Sequence, residues 1–547
     1  MRRVLANGLR LAFAVAAATL IARTFWGPFT FPIPVRSPIN AEGWLAIAVG
    51  LLVALHWRPA NREPVPTDQA PFGRLDAWAL LSLAALIGAV FAGSRNDYFL
   101  ADDFLHVRYA RDFTFDLHRL STTPGGDGFF RPVAQIFFGL LYRWAGFDPF
   151  RWHAAGFALH AVNTALVFTI LRRMGLAPLP AWFAAALFAI HATSPEAVVW
   201  LGGRFDLLAT FFVLSSAALF LAFLVAPGGW RWVSWFIALV ATVLGILSKE
   251  SAYAGPPILA LLALPRQRAS APRDPWHRHA LTLTPFFAVA LALFAYRWVL
   301  FGSIGGYLDS SGRPQALLLS PVNVIKALAF RIWAVLLFPL DWNATPDLTP
   351  GLAVGAALVV YLAALAWMTT AQTERRTLIA PLGFVLLASI PPLQQLLIGP
   401  DMEKARYLYL PAAGFCWLLA MVLQGLGPQA GRAVGAAILL FNLAAIGHNL
   451  SAWHFASRQA HSACIAAASC ARDGDHRLLA IGLPRTLRGV PLFAWGFEDC
   501  TRMELPSDEQ STLAVTLRDQ PASSEESAGY ACVFEWDPAA GQLRRIR

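Results

Sequence analysis

Charge is scarce in this chain: only 14% of its 547 residues are Asp, Glu, Lys or Arg, while 57% are hydrophobic and the mean hydropathy is +0.52. A soluble globular domain carries about 25% charged residues. The shortage excludes one and points to an integral membrane protein. Sequence repeats with a period of roughly 20 to 50 residues are lacking, which argues against a helical-repeat array. Also lacking are two corresponding halves with interrupted helices, the usual mark of a secondary transporter. Histidine and cysteine are too scattered for a zinc-type spacing. The composition is Arg-rich and Lys-poor, which suits a compact bacterial protein.

Apolar stretches of roughly 17 to 25 residues are the expected transmembrane unit. They lie near 8–25, 43–57, 76–93, 151–172, 179–193, 205–224, 231–248, 252–265, 280–300, 352–370, 378–398, 410–426 and 433–450, about thirteen in all. Arginines set the orientation. Arg2, Arg3, Arg10, Arg58, Arg62, Arg74, Arg172, Arg173, Arg266, Arg268, Arg273, Arg278, Arg375, Arg376 and Arg432 fall on one side when the spans are threaded in order. The positive-inside rule makes that side cytoplasmic, with the N-terminus there and the C-terminus periplasmic or otherwise exterior. The net charge of +10 is then a topology signal rather than a nucleic-acid footprint. Stretches 130–146 and 322–340 do not fit the threading and are expected to lie in the interface or re-enter the bilayer. The first span is expected to stay as an anchor, since Ala22-Arg-Thr-Phe-Trp lacks a small-residue cleavage site.

Three regions are expected: N-terminal helices over 1–94, a membrane region over 95–455 whose first large exterior loop is 95–150, and a small C-terminal domain over 456–547. In the last, Leu478–Pro484, Pro491–Trp495, Leu513–Leu517 and Tyr530–Trp536 read as strands, and Asp537-Pro-Ala-Ala-Gly as a hairpin turn. Cys416 lies inside a span, whereas Cys464, Cys470, Cys500 and Cys532 lie in the tail. An even number on an oxidising side suggests disulfides, and proximity in sequence favours Cys464 with Cys470 and Cys500 with Cys532.

Polar residues gather at the exterior ends of the spans. Asp102 and Asp103 follow the third span, and carboxylates so close to hydrocarbon are costly to hold, so they mark a functional site. Leu105, Tyr109 and Phe113 recur at helical spacing, so 102–120 reads as an interfacial helix with the acids at its start and with Asp102 and His106 on one face. Thr122–Gly128 follows as a flexible turn able to close over a substrate. Phe129-Phe-Arg-Pro132, His160-x-x-Asn163, His191 to Asp206, Ser248-Lys-Glu-Ser251 and Asp401 to Pro411 complete the set. A cavity with carboxylates and fixed cations suits group transfer from an anionic, lipid-linked donor: cations hold the phosphate, and a carboxylate deprotonates the acceptor hydroxyl. Each residue also has a structural reading. Asp102 can serve as an N-cap, Arg204 with Asp206 as a buried ion pair, Lys249 with Glu250 as a pair at a helix end, and Arg406 as an interfacial anchor.

The order Asp102-Asp103, Phe130-Arg-Pro132, His160-x-x-Asn163, His191 with Glu196, Gly203-Arg-Phe-Asp206, Lys249-Glu250 and Arg406-Tyr-Leu-Tyr-Leu-Pro411 resembles the membrane region of the transmembrane O-mannosyltransferases that carry tetratricopeptide repeats. More distantly it resembles the protein O-mannosyltransferases. The resemblance covers roughly residues 95 to 455. It implies an all-α GT-C fold ahead of the small β-rich tail, and an inverting hexosyl or pentosyl transferase using a polyprenyl-phosphate sugar. Asp102 is then the catalytic base with Asp103 beside it, and Arg131, Arg204, Lys249 and Arg406 hold the donor phosphate. His106, His191, Glu196, Asp206 and Glu250 support the cavity. No cofactor is expected, although Asp102 and Asp103 are where a divalent metal would sit. The acceptor is a protein, a lipid or a polysaccharide. The chain departs from the family in having two extra spans before the acidic loop and a Cys-containing tail where relatives carry repeats. The competing reading is a flippase or transporter of lipid-linked sugars, whose acids and cations would line a translocation path.

Overall fold

The computed structural model describes residues 37–55, 72–122, 129–263, 276–308, 313–314, 319–345, 347–370, 375–472, 477–493, 495–506, 510, 513–520 and 527–547, with isolated positions between 8 and 22. Most of the first expected span and of the Thr122–Gly128 turn lies outside the described residues.

The chain forms α1 (Pro38–Leu55), α2 (Arg74–Val90), α3 (Asp103–Arg111), α4 (Leu117–Thr122) and α5 (Pro132–Ala145). Then come α6 (Pro149–Arg173), α7 (Pro178–Ile190), α8 (Arg204–Phe223), α9 (Trp230–Ile246), α10 (Gly255–Ala263) and α11 (Trp276–Phe301). Among the described residues six helices are long and apolar enough to cross a membrane and four more are apolar but shorter, so the expectation of about thirteen spans goes beyond this set. The protein is an integral membrane protein. Proline accounts for some of the shortening. Pro391-Pro392 follows directly on the end of the helix Arg375–Ser389, which stops well before residue 398, because proline has no N–H to continue a helix.

Two of the sequence-based boundaries need revision. The 102–120 stretch is not one helix but two, α3 and α4, separated by an extended link. The helix of the last expected span continues past residue 450: Pro428–Arg472 runs 45 residues, roughly 68 Å at 1.5 Å per residue and about twice the hydrocarbon thickness. Its distal half is alanine-rich and therefore a strong helix former. Ala456, Ala460, Ala463, Ala467 and Ala471 recur at three- and four-residue spacing and are buried, forming the stripe that receives the tail.

The tail contains β1 (Arg477–Ile481), β2 (Thr486–Leu487), β3 (Val490–Pro491), a short helix (Phe497–Met503), β4 (Ala514–Arg518), β5 (Cys532–Asp537) and β6 (Gln542–Arg545). One sheet has the order β4-β1-β5-β6, with β1 parallel to both neighbours and β5 antiparallel to β6. The Asp537 turn forms as expected, its Oδ1 accepting from the Ala539 and Ala540 N–H groups. Pro491–Trp495 was expected to be a strand, but only Val490–Pro491 pairs, in a two-residue ladder with Thr486–Leu487.

The disulfides are Cys464–Cys500 and Cys470–Cys532, with Cα separations of 5.6 and 6.3 Å, not the neighbouring pairs. Cys464 and Cys470 stand on one continuous helix, where six residues rise about 9 Å, beyond the roughly 7 Å a disulfide can bridge. Each instead ties the long helix to the tail, one to its short helix and the other to its central sheet. Cys416 is a free, buried thiol.

Candidate active site

A cavity of about 790 Å³ opens where α3, α5 and the loops at the ends of α7, α9 and α11 meet, and Asp102, His106, Arg131, Lys249, Arg406 and Tyr407 are among its walls. A second cavity of about 390 Å³ adjoins it through Phe129, Arg131, Lys249, Tyr307 and Tyr407, and its far side is apolar, with Tyr253, Pro257, Phe294, Leu387, Ile390 and Pro391.

Asp102 occupies the N-cap position of α3, yet its side chain makes no capping hydrogen bond. Its Oδ1 has no hydrogen-bond partner among the described residues, and Oδ2 lies 3.7 Å from His106 Nε2, one turn along the helix as expected. Asp103 points the other way. Its Oδ2 accepts from the Leu100 N–H at 3.1 Å and its Oδ1 from the Gly202 N–H at 3.1 Å. Burial first, and then the charge of Asp102, pushes the Asp103 carboxyl up to about 7. Asp103 is therefore absent from the cavity wall. With both its oxygens occupied, the pair does not present two free carboxylates to a metal ion, and the described residues contain no group of three metal-ligating side chains.

Arg131, Lys249 and Arg406 on the wall are each backed by a carboxylate. Arg131 Nη2 meets Glu250 Oε2 at 2.7 Å, and Arg297 Nη1 meets the other oxygen, Oε1, at 2.5 Å. Lys249 Nζ meets Asp206 Oδ2 at 2.6 Å, and Arg406 Nε stands 3.9 Å from the same oxygen. Arg406 Nη1 also pairs with Glu196 Oε1, while Glu196 accepts the backbone N–H of Lys404 at 3.2 Å and of Arg406 at 2.8 Å. The flanking guanidiniums, acting against burial, hold Glu250 far below the usual carboxylate range, and burial pushes Lys249 down to about 8 from 10.5 against the pull of Asp206. Aromatic faces complete the cradle: Arg131 lies 3.9 Å from the Phe129 centroid, Lys249 Nζ 4.5 Å from that of Tyr407, and Arg406 4.6 Å from that of Trp200. Four cations thus share three carboxylates around the junction of the two cavities.

The backbone that carries these groups is unusual. Among the described residues the non-glycine positions with positive φ are Ala101 (49°), Met402 (58°), Lys404 (77°) and Arg488 (52°). Ala101 immediately precedes Asp102, and Met402 and Lys404 lead into Arg406. Such conformations persist only where surrounding contacts hold them. Lys404 is held by its N–H bond to Glu196, so the strained turn and the buried acid position Arg406 together. Gly203 allows the close approach of its loop, since a Cβ there would meet the Glu196 carbonyl oxygen at 2.4 Å.

Two expected site residues are elsewhere. Arg204 was read as a phosphate ligand, but it is fully buried behind the loop, where it donates to the Trp200 carbonyl at 2.7 Å and the Trp152 carbonyl at 2.9 Å. Its helix turns the guanidinium toward α6, so it supports the loop that Asp103 also grips. His191 is buried as well, its ring nitrogens engaged by Thr193 Oγ1 and the Leu336 carbonyl. Glu196, Asp206 and Glu250 stand behind the cations and pair with them. Residues missed by sequence reasoning are Arg297, Tyr307, Tyr407, Trp200 and Trp495. Arg297 had a signal, being an arginine within the apolar run 280–300.

No family model matches the chain. Protein O-mannosyl-transferase TMTC4 of Mus musculus is 25% identical over 430 residues, covering 65% of this chain and 56% of its own length. Protein O-mannosyl-transferase Tmtc1 of Drosophila melanogaster is 28% identical over 198 residues, 34% of this chain and 23% of its own. This chain resembles the transmembrane O-mannosyltransferases. That is the family expected from the order of the motifs. Its matched part spans little more than half the length of the mouse relative and less of the fly protein. Among solved structures, the S. cerevisiae protein O-mannosyltransferase Pmt1-Pmt2 complex bound to the sugar donor is similar at 15% identity and a TM-score of 0.32, over 45% of this chain and 36% of that one.

Proposed function

We propose that the protein is a membrane glycosyltransferase that moves a sugar from a polyprenyl-phosphate donor to an acceptor hydroxyl at the periplasmic or equivalent exterior face. The observation that carries this is Asp102, a carboxylate on the wall of the same cavity as three cations already held by other carboxylates. The relatives' names, O-mannosyl-transferases, support the transfer of a hexose and a protein acceptor. In the proposed step the acceptor O–H gives its proton to Asp102 while its oxygen bonds to the anomeric carbon. The bond from that carbon to the phosphate oxygen breaks on the opposite side, so configuration inverts. Polyprenyl phosphate leaves with the electron pair, and Lys249, Arg131 and Arg406 stabilise its growing charge. Paired cations suit this role because they are fixed before the reaction and need no reorganisation. The apolar second cavity would take the first isoprene units, with the phosphate at the junction. His106, flanked by the Phe138 and Phe205 rings with centroids 5.5 and 5.3 Å away, would orient Asp102.

The test is sugar transfer in reconstituted membranes given labelled polyprenyl-phosphate sugars and cell-envelope acceptors, comparing wild type with Asp102→Asn. Transfer that depends on Asp102 supports the assignment. Movement of the donor across the bilayer by both proteins without transfer would replace it with the flippase reading.

A further inference from the structure

The tail contributes one side chain to the cavity wall, and that residue packs against little else. Trp495 lines the cavity together with Asp102 and Lys249 and is 65% exposed. Its neighbours differ. Phe493 and Phe497 are 5% and 1% exposed and meet edge-to-face at 5.0 Å, so they meet the packing need of this segment and leave the indole free. We infer that Trp495, carried by the tail, is a specificity-determining residue for the polypeptide acceptor of the proposed reaction. This rests on the transfer reading above.

The segment is locked to the acidic loop at several points. The Ala101 N–H donates to the Leu492 carbonyl at 2.8 Å, next to Asp102 itself. Arg108 on α3 pairs with Asp499 at 2.8 Å, and the Tyr98 hydroxyl donates to Glu504 at 2.5 Å. Gly496, at φ 85°, allows this contact, because a Cβ there would meet the Ala101 carbonyl oxygen at 2.5 Å. Cys464–Cys500 then holds the short helix that follows Trp495 to the long membrane helix. These contacts fix the backbone that carries Trp495, so the indole is presented to the cavity with no further ordering of the chain.

The class of acceptor follows from what stands around it. Tyr109 (50% exposed) and Arg119 line the same cavity beside Trp495. Trp, Tyr and Arg are the residues enriched at the energetic centres of protein–protein contacts. The donor phosphate is assigned to Lys249, Arg131 and Arg406, so this aromatic and guanidinium group is left for the molecule that brings the hydroxyl to Asp102.

The experiment measures initial rates with a labelled polyprenyl-phosphate mannose and two acceptor panels, synthetic Ser/Thr peptides and simple glycosides, for the full-length protein, Trp495→Ala and Trp495→Phe. The expected result is a rise of roughly tenfold or more in the peptide KM of Trp495→Ala, a smaller rise in Trp495→Phe, and a donor KM that moves far less. An unchanged peptide KM, or peptide and donor KM rising in parallel, would overturn the inference. A selective effect on glycosides instead of peptides would overturn the polypeptide class. Turnover surviving in Asp102→Asn would count against the transfer mechanism itself, so the two failures are distinguishable.

Discussion

The two ends of the cavity are built on opposite principles. At the end proposed for the donor, Arg131, Lys249 and Arg406 are each paired with a carboxylate and stacked on an aromatic face. At the end proposed for the acceptor, Asp102 has an oxygen without a partner, and Trp495 and Tyr109 are exposed. Groups that stabilise charge work best when held still, whereas a group that must take a proton or meet a variable acceptor has to stay free. The donor end comes from membrane helices and their connecting loops, and the acceptor end is assembled from α3 and a tail fixed by two disulfides.

The largest break in that contrast is expected from Asp102→Asn. It keeps the shape and removes the proposed base, so sugar transfer should fall by about 10²–10⁴, while insertion and thermal stability stay near wild type because the carboxylate's one ionic contact, with His106 at 3.7 Å, is partly exposed. Transfer near the wild-type rate would dissolve the distinction between the two ends. Next comes a pair of arginines. Arg406→Ala leaves Glu196 buried without its guanidinium, and breaking a buried pair costs about 3–5 kcal/mol, so a lowered melting temperature and a raised donor KM should appear together. Arg204→Lys removes hydrogen bonds to the Trp152 and Trp200 carbonyls away from the cavity. It should destabilise by about 1–3 kcal/mol with a donor KM far less affected. A donor KM raised as much in Arg204→Lys as in Arg406→Ala would return Arg204 to the phosphate site.

The donor end should also respond to pH. Lys249 has its folded-state pKa lowered to about 8 from 10.5 by burial. Below about 8 it is a cation able to hold phosphate, and above that it is neutral. The value of kcat/KM for the donor, which reports the free enzyme, should therefore fall as pH rises through about 8. Between about 8 and 10.5 the folded state binds fewer protons than the unfolded one, so this group's contribution to stability rises with pH while donor binding weakens. Lys249→Arg should remove the alkaline limb from the activity profile, since a guanidinium stays charged. A limb that persists in this variant would assign the titration to another group.

Much of this arrangement was legible in the amino-acid order, for reasons that are local. Hydropathy located most helices, short runs broken by turn residues located β1, β4 and β5, and helical spacing put Asp102 and His106 on one face. What escaped is tertiary. Arg204 and Arg406 are equally plausible phosphate ligands as letters, and only the direction in which each helix turns its side chain separates them. The cysteine pairing failed because the last helix continues through its alanine-rich stretch, which moved Cys464 and Cys470 onto one rod and out of each other's reach. Trp495 carried no signal among 20 tryptophans, since its exposure is decided by Phe493 and Phe497 taking the packing positions on either side.

The smallest effect expected separates the two disulfides. Either one closes a loop of the tail, so replacing either cysteine pair with serine should destabilise the tail by about 2–4 kcal/mol. Their positions differ. Cys500 lies on the short helix that follows Trp495, whereas Cys532 lies on β5, in the central part of the sheet. If the tail is only a stabilising cap, both pairs should change acceptor kinetics alike. If it holds Trp495 against the acidic loop, losing Cys464–Cys500 should raise the acceptor KM by a few-fold and losing Cys470–Cys532 by less, with the donor KM insensitive to both. The comparison requires conditions in which both variants remain folded, checked by near-UV circular dichroism, because the tail also contacts α3 through Arg108–Asp499 and the stretch before it through Tyr98–Glu504, which hold the interface after either disulfide is lost.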